Sequence, residues 1–138
     1  MSTLAGGCLC GAVRYRVESA EHEFGTCHCR MCQRWSGCPF FATTATGVAF
    51  EGEENLTRFS SSAWAERGFC GKCGSNLFYR IVESDVYEMC VGTFDDPGQF
   101  TLVSEIFIDR KPGGYAFAGD HERLTEAETI AKFKDAAE

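Results

Sequence analysis

The 138-residue chain has no apolar run approaching the roughly 18 residues of a membrane-spanning helix. Its opening, MSTLAGGCLCG, lacks the basic and apolar regions of a secretory signal. A cytoplasmic protein without a membrane partner is therefore expected. Proline is scarce, at three residues, and no Pro/Ser-rich stretch or fixed-period repeat divides the sequence. One domain over residues 1–138 is the reading. Positive charge is also short: thirteen Lys and Arg stand against twenty Asp and Glu, for a net charge of −7. That balance excludes nucleic-acid binding by phosphate neutralisation and disfavours anionic membrane surfaces. With 44% hydrophobic and 24% charged residues the chain is not disordered.

Short alternating stretches punctuated by Gly, Ser or Asp dominate. They are Val13, Tyr15 and Val17; Phe40 to Thr46; Val48 to Phe50; Leu56 to Phe59; Leu77 to Ile81; Val86 to Val91; and Ile106 to Ile108. The fold class is mainly β. The helix signal is terminal: Thr125 and Glu128 form a capping box. Ala127, Ile130, Ala131 and Lys134 follow on one face beside Phe133, so residues 126–137 read as a helix packed on the sheets.

What the sequence has in excess is cysteine, nine in all. A chain of this length does not need disulfides to replace a core, and an odd count cannot close into bridges without a remainder. Clustered thiols in a reducing compartment point to metal ligation or catalysis. Cys8 and Cys10 form a CxC whose sulfurs share one face of an extended chain. Cys70 and Cys73 form a CxxC flanked by Gly71 and Gly74, and the four sulfurs suit tetrahedral zinc. A thioredoxin-like redox motif would place a helix after the CxxC, whereas LFYRI reads as a strand; iron in a Cys₄ cage is the other metal reading.

Cys27, Cys29 and Cys32 in CHCRMC offer three thiolates with no fourth cysteine beside them. Three protein ligands and a vacant corner are the mark of a catalytic zinc, and a soft thiolate-bound metal suits an incoming thiol. The other reading is a closed site completed by His28, Cys38 or Cys90. His28 sits between two ligands and points away from both, Cys90 reads as a buried strand residue, and Cys38 stays open.

CLCGAVRY, CHCRMCQRWSG and ERGFCGKCGSNLFYR together resemble, in order and spacing, the glutathione-dependent formaldehyde-activating enzyme (GFA) family over most of residues 6–110. The resemblance implies a β-tent fold of short antiparallel sheets organised around zinc. It implies a structural zinc at Cys8, Cys10, Cys70 and Cys73, and a catalytic zinc at Cys27, Cys29 and Cys32. It also implies carbon–sulfur lyase chemistry, with glutathione and formaldehyde joining as S-(hydroxymethyl)glutathione. The chain departs from the family pattern at Cys38, Glu105 and Gly114.

On this reading a small thiol and a small aldehyde are the partners. Arg30 and Arg34 flank Cys32 and are candidates to hold the anionic ends of glutathione. Ser36, Gly37 and Phe40 would line the loop after the cluster, and Trp35 and Trp64 read as packing. His28, Glu66 and Asp95 are the candidate proton donors, each expected at a surface or turn. The alternative function is a non-catalytic zinc-binding module that docks on protein.

Overall fold

The computed structural model describes the backbone of residues 4–137 and the side chains up to Phe133. Its contacts divide the chain into two units, one of residues 1–24 and 42–101 and another of residues 25–41 and 102–138. Among the described residues are ten strands: β1 Ala5–Gly7, β2 Arg14–Ala20, β3 Glu23–Cys27, β4 Phe40–Glu51, β5 Leu56–Ser60, β6 Ala65–Cys70, β7 Asn76–Ile81, β8 Val86–Cys90, β9 Thr101–Ile106 and β10 Glu122–Arg123. Two α-helices accompany them, α1 Arg30–Ser36 and α2 Glu126–Ala137. The fold is mainly β with a C-terminal helix. No helix is long and apolar enough to cross a membrane.

In the first unit, hydrogen bonding runs in the order β1, β2, β4, β8, β7, β6, β5, and each pairing is antiparallel. The stretches 40–46 and 48–50, read separately in the sequence, are one twelve-residue strand. Gly47 lets the strand continue because its φ of +66° costs a glycine nothing. Along β2 alternate residues, Tyr15 and Val17, turn inward, and in the core Val13, Tyr15, Leu77, Phe78 and Met89 are each at most 1% exposed. Phe78 packs edge-on against Tyr87, with centroids 4.9 Å apart. Gly68 of β6 makes room for it, since a Cβ there would lie 2.2 Å from the Phe78 ring.

In the second unit, β9 lies beside β3 and pairs in parallel with β10, with Arg123 opposite Glu105. The expected strand at 106–108 is the end of β9, and Ile108 opens a 3₁₀ turn. The capping box forms reciprocally: the Glu128 N–H donates to Thr125 Oγ1 at 3.2 Å and the Thr125 N–H to Glu128 Oε1 at 2.9 Å. The helix face read as packed is corrected. Ile130 and Phe133 are 55% and 54% exposed, Ala127 and Ala131 are exposed, and Thr129 is the buried residue. The side chain of Lys134, assigned to the same face, lies outside the described residues. Caps and the hydroxyl of Thr129, which accepts from the Phe107 N–H at 3.4 Å, hold α2 in place of apolar burial.

Candidate metal centres

The first unit carries Cys8, Cys10, Cys70 and Cys73 with all four sulfurs within 4.8 Å of one another. Cys8 follows β1, and Cys70 ends β6 at the turn before β7. That turn closes through the Gly74 N–H to the Cys70 carbonyl at 2.8 Å. Backbone N–H groups point at the sulfurs: Val13 donates to Cys8 Sγ at 3.3 Å, and Lys72 and Cys73 to Cys70 Sγ at 3.3 and 3.4 Å. Such donors favour the ionised form that ligates metal. Cys73 is pulled down to about 5, chiefly by the Ser75 hydroxyl and backbone.

The fit to a metal can be judged from sulfur spacing. A tetrahedron with ~2.3 Å metal–sulfur bonds has edges of ~3.8 Å, whereas a disulfide is ~2.05 Å long. Cys8 and Cys10 are 3.7 Å apart and Cys10 and Cys70 3.8 Å, with every cysteine free. Both separations match a tetrahedral edge and neither matches a disulfide.

The second unit carries Cys27, Cys29 and Cys32, again within 4.8 Å. Among the described residues no fourth Cys, His, Asp or Glu completes this group. The segment after Cys32, read as a loop, continues helix α1 as far as Ser36. Cys29 is its N-cap, with Sγ accepting from the Cys32 N–H at 3.4 Å, and Gly37 ends it in the left-handed conformation. The CxxC spacing thus becomes one helical turn that returns Cys32 beneath Cys29. Gly37 just past the apolar positions was the legible stop signal. Hydrogen bonds from Cys27 and then Cys32 hold the Cys29 thiol far below its ordinary range, and the same bonds push Cys27 up.

The residues named as glutathione contacts are differently disposed. Arg30 and Arg34 are exposed, and Arg30 bonds Gln33 Oε1 at 2.5 Å. Ser36 spends its hydroxyl on the Cys32 carbonyl at 2.7 Å, Gly37 is exposed, and Phe40 is 6% exposed with its ring edge-on to Trp35. Cys38 stands at φ +65° with Sγ 3.3 Å from the Tyr115 hydroxyl. Burial, then Cys38, pushes that phenol up to about 12.

Of the candidate proton donors, Glu66 is tied to Arg58 and Arg80, and Asp95 to Arg14. Expecting His28 at a surface or turn is corrected: its ring is 0% exposed and bonds Glu105. As expected, it points away from its cysteine neighbours. Cys90 is half-buried rather than buried. Glu105 stood out in the sequence only as a departure from the family pattern, and its pairing with His28, His121 and Arg123 was missed because no short motif joins residues so far apart.

A family model described as glutathione-dependent formaldehyde-activating enzyme matches residues 3–110, and the chain belongs to that family. A curated relative from Schizosaccharomyces pombe, named an uncharacterised lyase, is 31% identical over 132 residues, spanning 94% of this chain and 96% of the relative. A Halomonas elongata protein named for glutathione-dependent formaldehyde activation is 33% identical over 85 residues, 54% of each chain. Among solved structures, a Rhodobacter sphaeroides protein superposes with a TM-score of 0.58 at 26% identity, covering 72% of this chain and 99% of that one.

Proposed function

We propose that this protein is a zinc-dependent enzyme that joins glutathione, or a similar thiol, to a small aldehyde, with the reverse cleavage making it a carbon–sulfur lyase. The observation that carries the reading is the three-sulfur group of Cys27, Cys29 and Cys32, which no fourth side chain among the described residues completes. A binding module that only needed a staple would close its metal, as the four-sulfur group can. Family membership supports the same reading, and the β-tent architecture of that family is the proposed fold type.

Cys8, Cys10, Cys70 and Cys73 would hold a structural zinc, and Cys27, Cys29 and Cys32 a catalytic one. The catalytic ion, when bound, supplies a soft Lewis-acidic corner at which a thiol is ionised at neutral pH. The chain orients the reactants. Arg30 and Arg34, exposed on α1 next to Cys32, would take the carboxylates of glutathione, and Gly37 leaves the end of that helix without a side chain. The thiolate lone pair forms the new carbon–sulfur bond at the aldehyde carbon. The carbonyl π pair moves to oxygen, which takes up one proton, balancing the one the thiol lost, and the product is an S-(hydroxyalkyl) thioether. Proximity carries most of such an addition.

The test is spectroscopic. With cobalt in place of zinc, glutathione should strengthen sulfur-to-cobalt charge-transfer absorption, while S-methylglutathione, whose thioether cannot ionise, should not. Equal responses to the two would remove thiol ligation and the addition that depends on it.

A further inference from the structure

His28 is the member of the Cys-His-Cys tripeptide that offers no sulfur, yet it is firmly held. Its N–H donates to the Ile106 carbonyl at 3.0 Å, and its carbonyl accepts from Gln33 Nε2 at 2.6 Å. The same Gln33 amide reaches the Arg110 carbonyl at 2.8 Å. The buried ring places Nε2 2.8 Å from Glu105 Oε1. Phe117 stacks on it at 6.2 Å with an interplanar angle of 25°, and Tyr115 lies at 6.4 Å.

Glu105 is itself 1% exposed, and burying a carboxylate costs several kcal/mol unless it is fully paired. Pairing is what surrounds it. Its other oxygen receives His121 Nε2 at 2.6 Å and Arg123 Nε at 3.1 Å. Arg123 also donates through Nη2 to the carbonyls of Phe117 and Gly119, at 3.1 and 3.0 Å, so one guanidinium ties the carboxylate to the segment that covers His28. Two imidazoles and a carboxylate suggest a metal site, but the cation on Glu105 is already Arg123. An ionised carboxylate only accepts, so Nε2 of His28 must carry the hydrogen of that bond. The other ring nitrogen, Nδ1, is buried with no hydrogen-bond partner.

We propose that Glu105 is a positioning residue for the three-sulfur centre: held by Arg123 and His121, it fixes the His28 ring and, through it, the backbone that aims Cys27 and Cys29. Two residues flanking a third on extended backbone share a face only while the middle one stays on the other. A carboxylate anchored under the middle residue therefore sets the angle between two ligands. The inference rests on reading Cys27, Cys29 and Cys32 as a metal centre.

Wild type and Glu105→Gln carrying Co²⁺ at both centres would be titrated with a competing chelator, Cys29→Ser identifying which equivalents belong to the three-sulfur site. Losing a supporting group around a metal typically costs 10- to 100-fold in affinity. We expect at least a tenfold loss at that site and less than twofold at the four-sulfur site. Unchanged affinity at the three-sulfur site, or an equal loss at both, overturns the proposal. If the Gln variant does not fold, Glu105→Asp keeps the charge but withdraws it from His28 by one methylene, with the same outcomes expected. In wild type, ¹⁵N spectra of labelled histidine should show hydrogen on His28 Nε2; a bare Nε2 also overturns it. The two failures are distinguishable: no cobalt at Cys27, Cys29 and Cys32 in wild type removes the metal reading, whereas tight cobalt with an indifferent Glu105 removes only the positioning role.

Discussion

Replacing Cys70 and Cys29 by serine in turn should have opposite consequences for the fold, although each removes one sulfur from a cluster. Cys70 is 0% exposed, accepts two backbone N–H groups and ends the strand that pairs with both β5 and β7. A four-cysteine metal site in a small peptide contributes an apparent 10–16 kcal/mol coupled to folding, comparable to the whole 5–15 kcal/mol stability of an ordinary domain. A serine cannot replace a thiolate for a soft metal. Losing even a quarter of that binding energy removes about 3 kcal/mol. For a chain of this size each kcal/mol moves Tm by about 4 °C, so Cys70→Ser should melt at least 10 °C lower or fail to fold.

Cys29 presents the opposite case. It is half-buried, and its structural work besides any metal is to cap α1 by accepting the Cys32 N–H. Serine is among the preferred N-cap residues, so the cap survives and the cost should stay below about 1 kcal/mol, or ~4 °C. Thermal melts of both variants with zinc present, together with zinc content per chain, make the comparison: about one zinc should remain on Cys29→Ser. If Cys29→Ser lost stability as Cys70→Ser does, or Cys70→Ser melted with wild type, the division into structural and catalytic centres would be wrong.

Two further predictions concern the first unit. Gly68→Ala should cost about 1–3 kcal/mol, because its methyl would enter the Phe78 ring and that ring, 0% exposed, has no free space to move into; a melt unchanged from wild type would refute the packing. Asp95→Asn breaks an ion pair with Arg14 whose side chains are 43–44% exposed, so the loss at pH 7 should stay under about 1 kcal/mol. Arg14 holds the Asp95 carboxyl below its ordinary value, so that contribution is present above about pH 3.9 and is lost as pH falls through the lower folded value. Chemical denaturation at pH 7 and at pH 2 should therefore show the variant weaker than wild type only at the higher pH, and a difference that grew in acid would refute the assignment.

How legible the site was depended on how local its signals are. CxC and CxxC carry their own geometry: alternation on extended chain puts Cys8 and Cys10 on one face, and a closed turn brings Cys73 back to Cys70, so the two sulfur groups could be drawn from spacing alone. The strand with clean alternation, Tyr15 and Val17 in β2, was equally visible, and so were the apolar stretches 56–59 and 77–81. Helix α1 was not, because Met31, Cys32 and Trp35 mark a helical face over only two turns; its ends depend on a sulfur cap at Cys29 and on Gly37. The terminal helix failed in the reverse sense. Its period was right and its box formed, yet Ile130 and Phe133 stay exposed, since periodicity says which residues share a face and not whether anything covers it.

The hardest part to read was the support beneath the three-sulfur group. His28 and Glu105 are 77 positions apart, and the parallel pairing of β10 with β9 sets Arg123 opposite Glu105 only once the sheet exists. A charged residue in a short strand reads from sequence as solvent-facing, and Glu105 differs because three donors from distant segments converge on it. Such a carboxylate is intelligible only as a group, since each partner alone would leave a buried charge too costly to keep. The candidate ligands of this centre are thus written within six consecutive residues, while what is proposed to aim two of them is written in the topology.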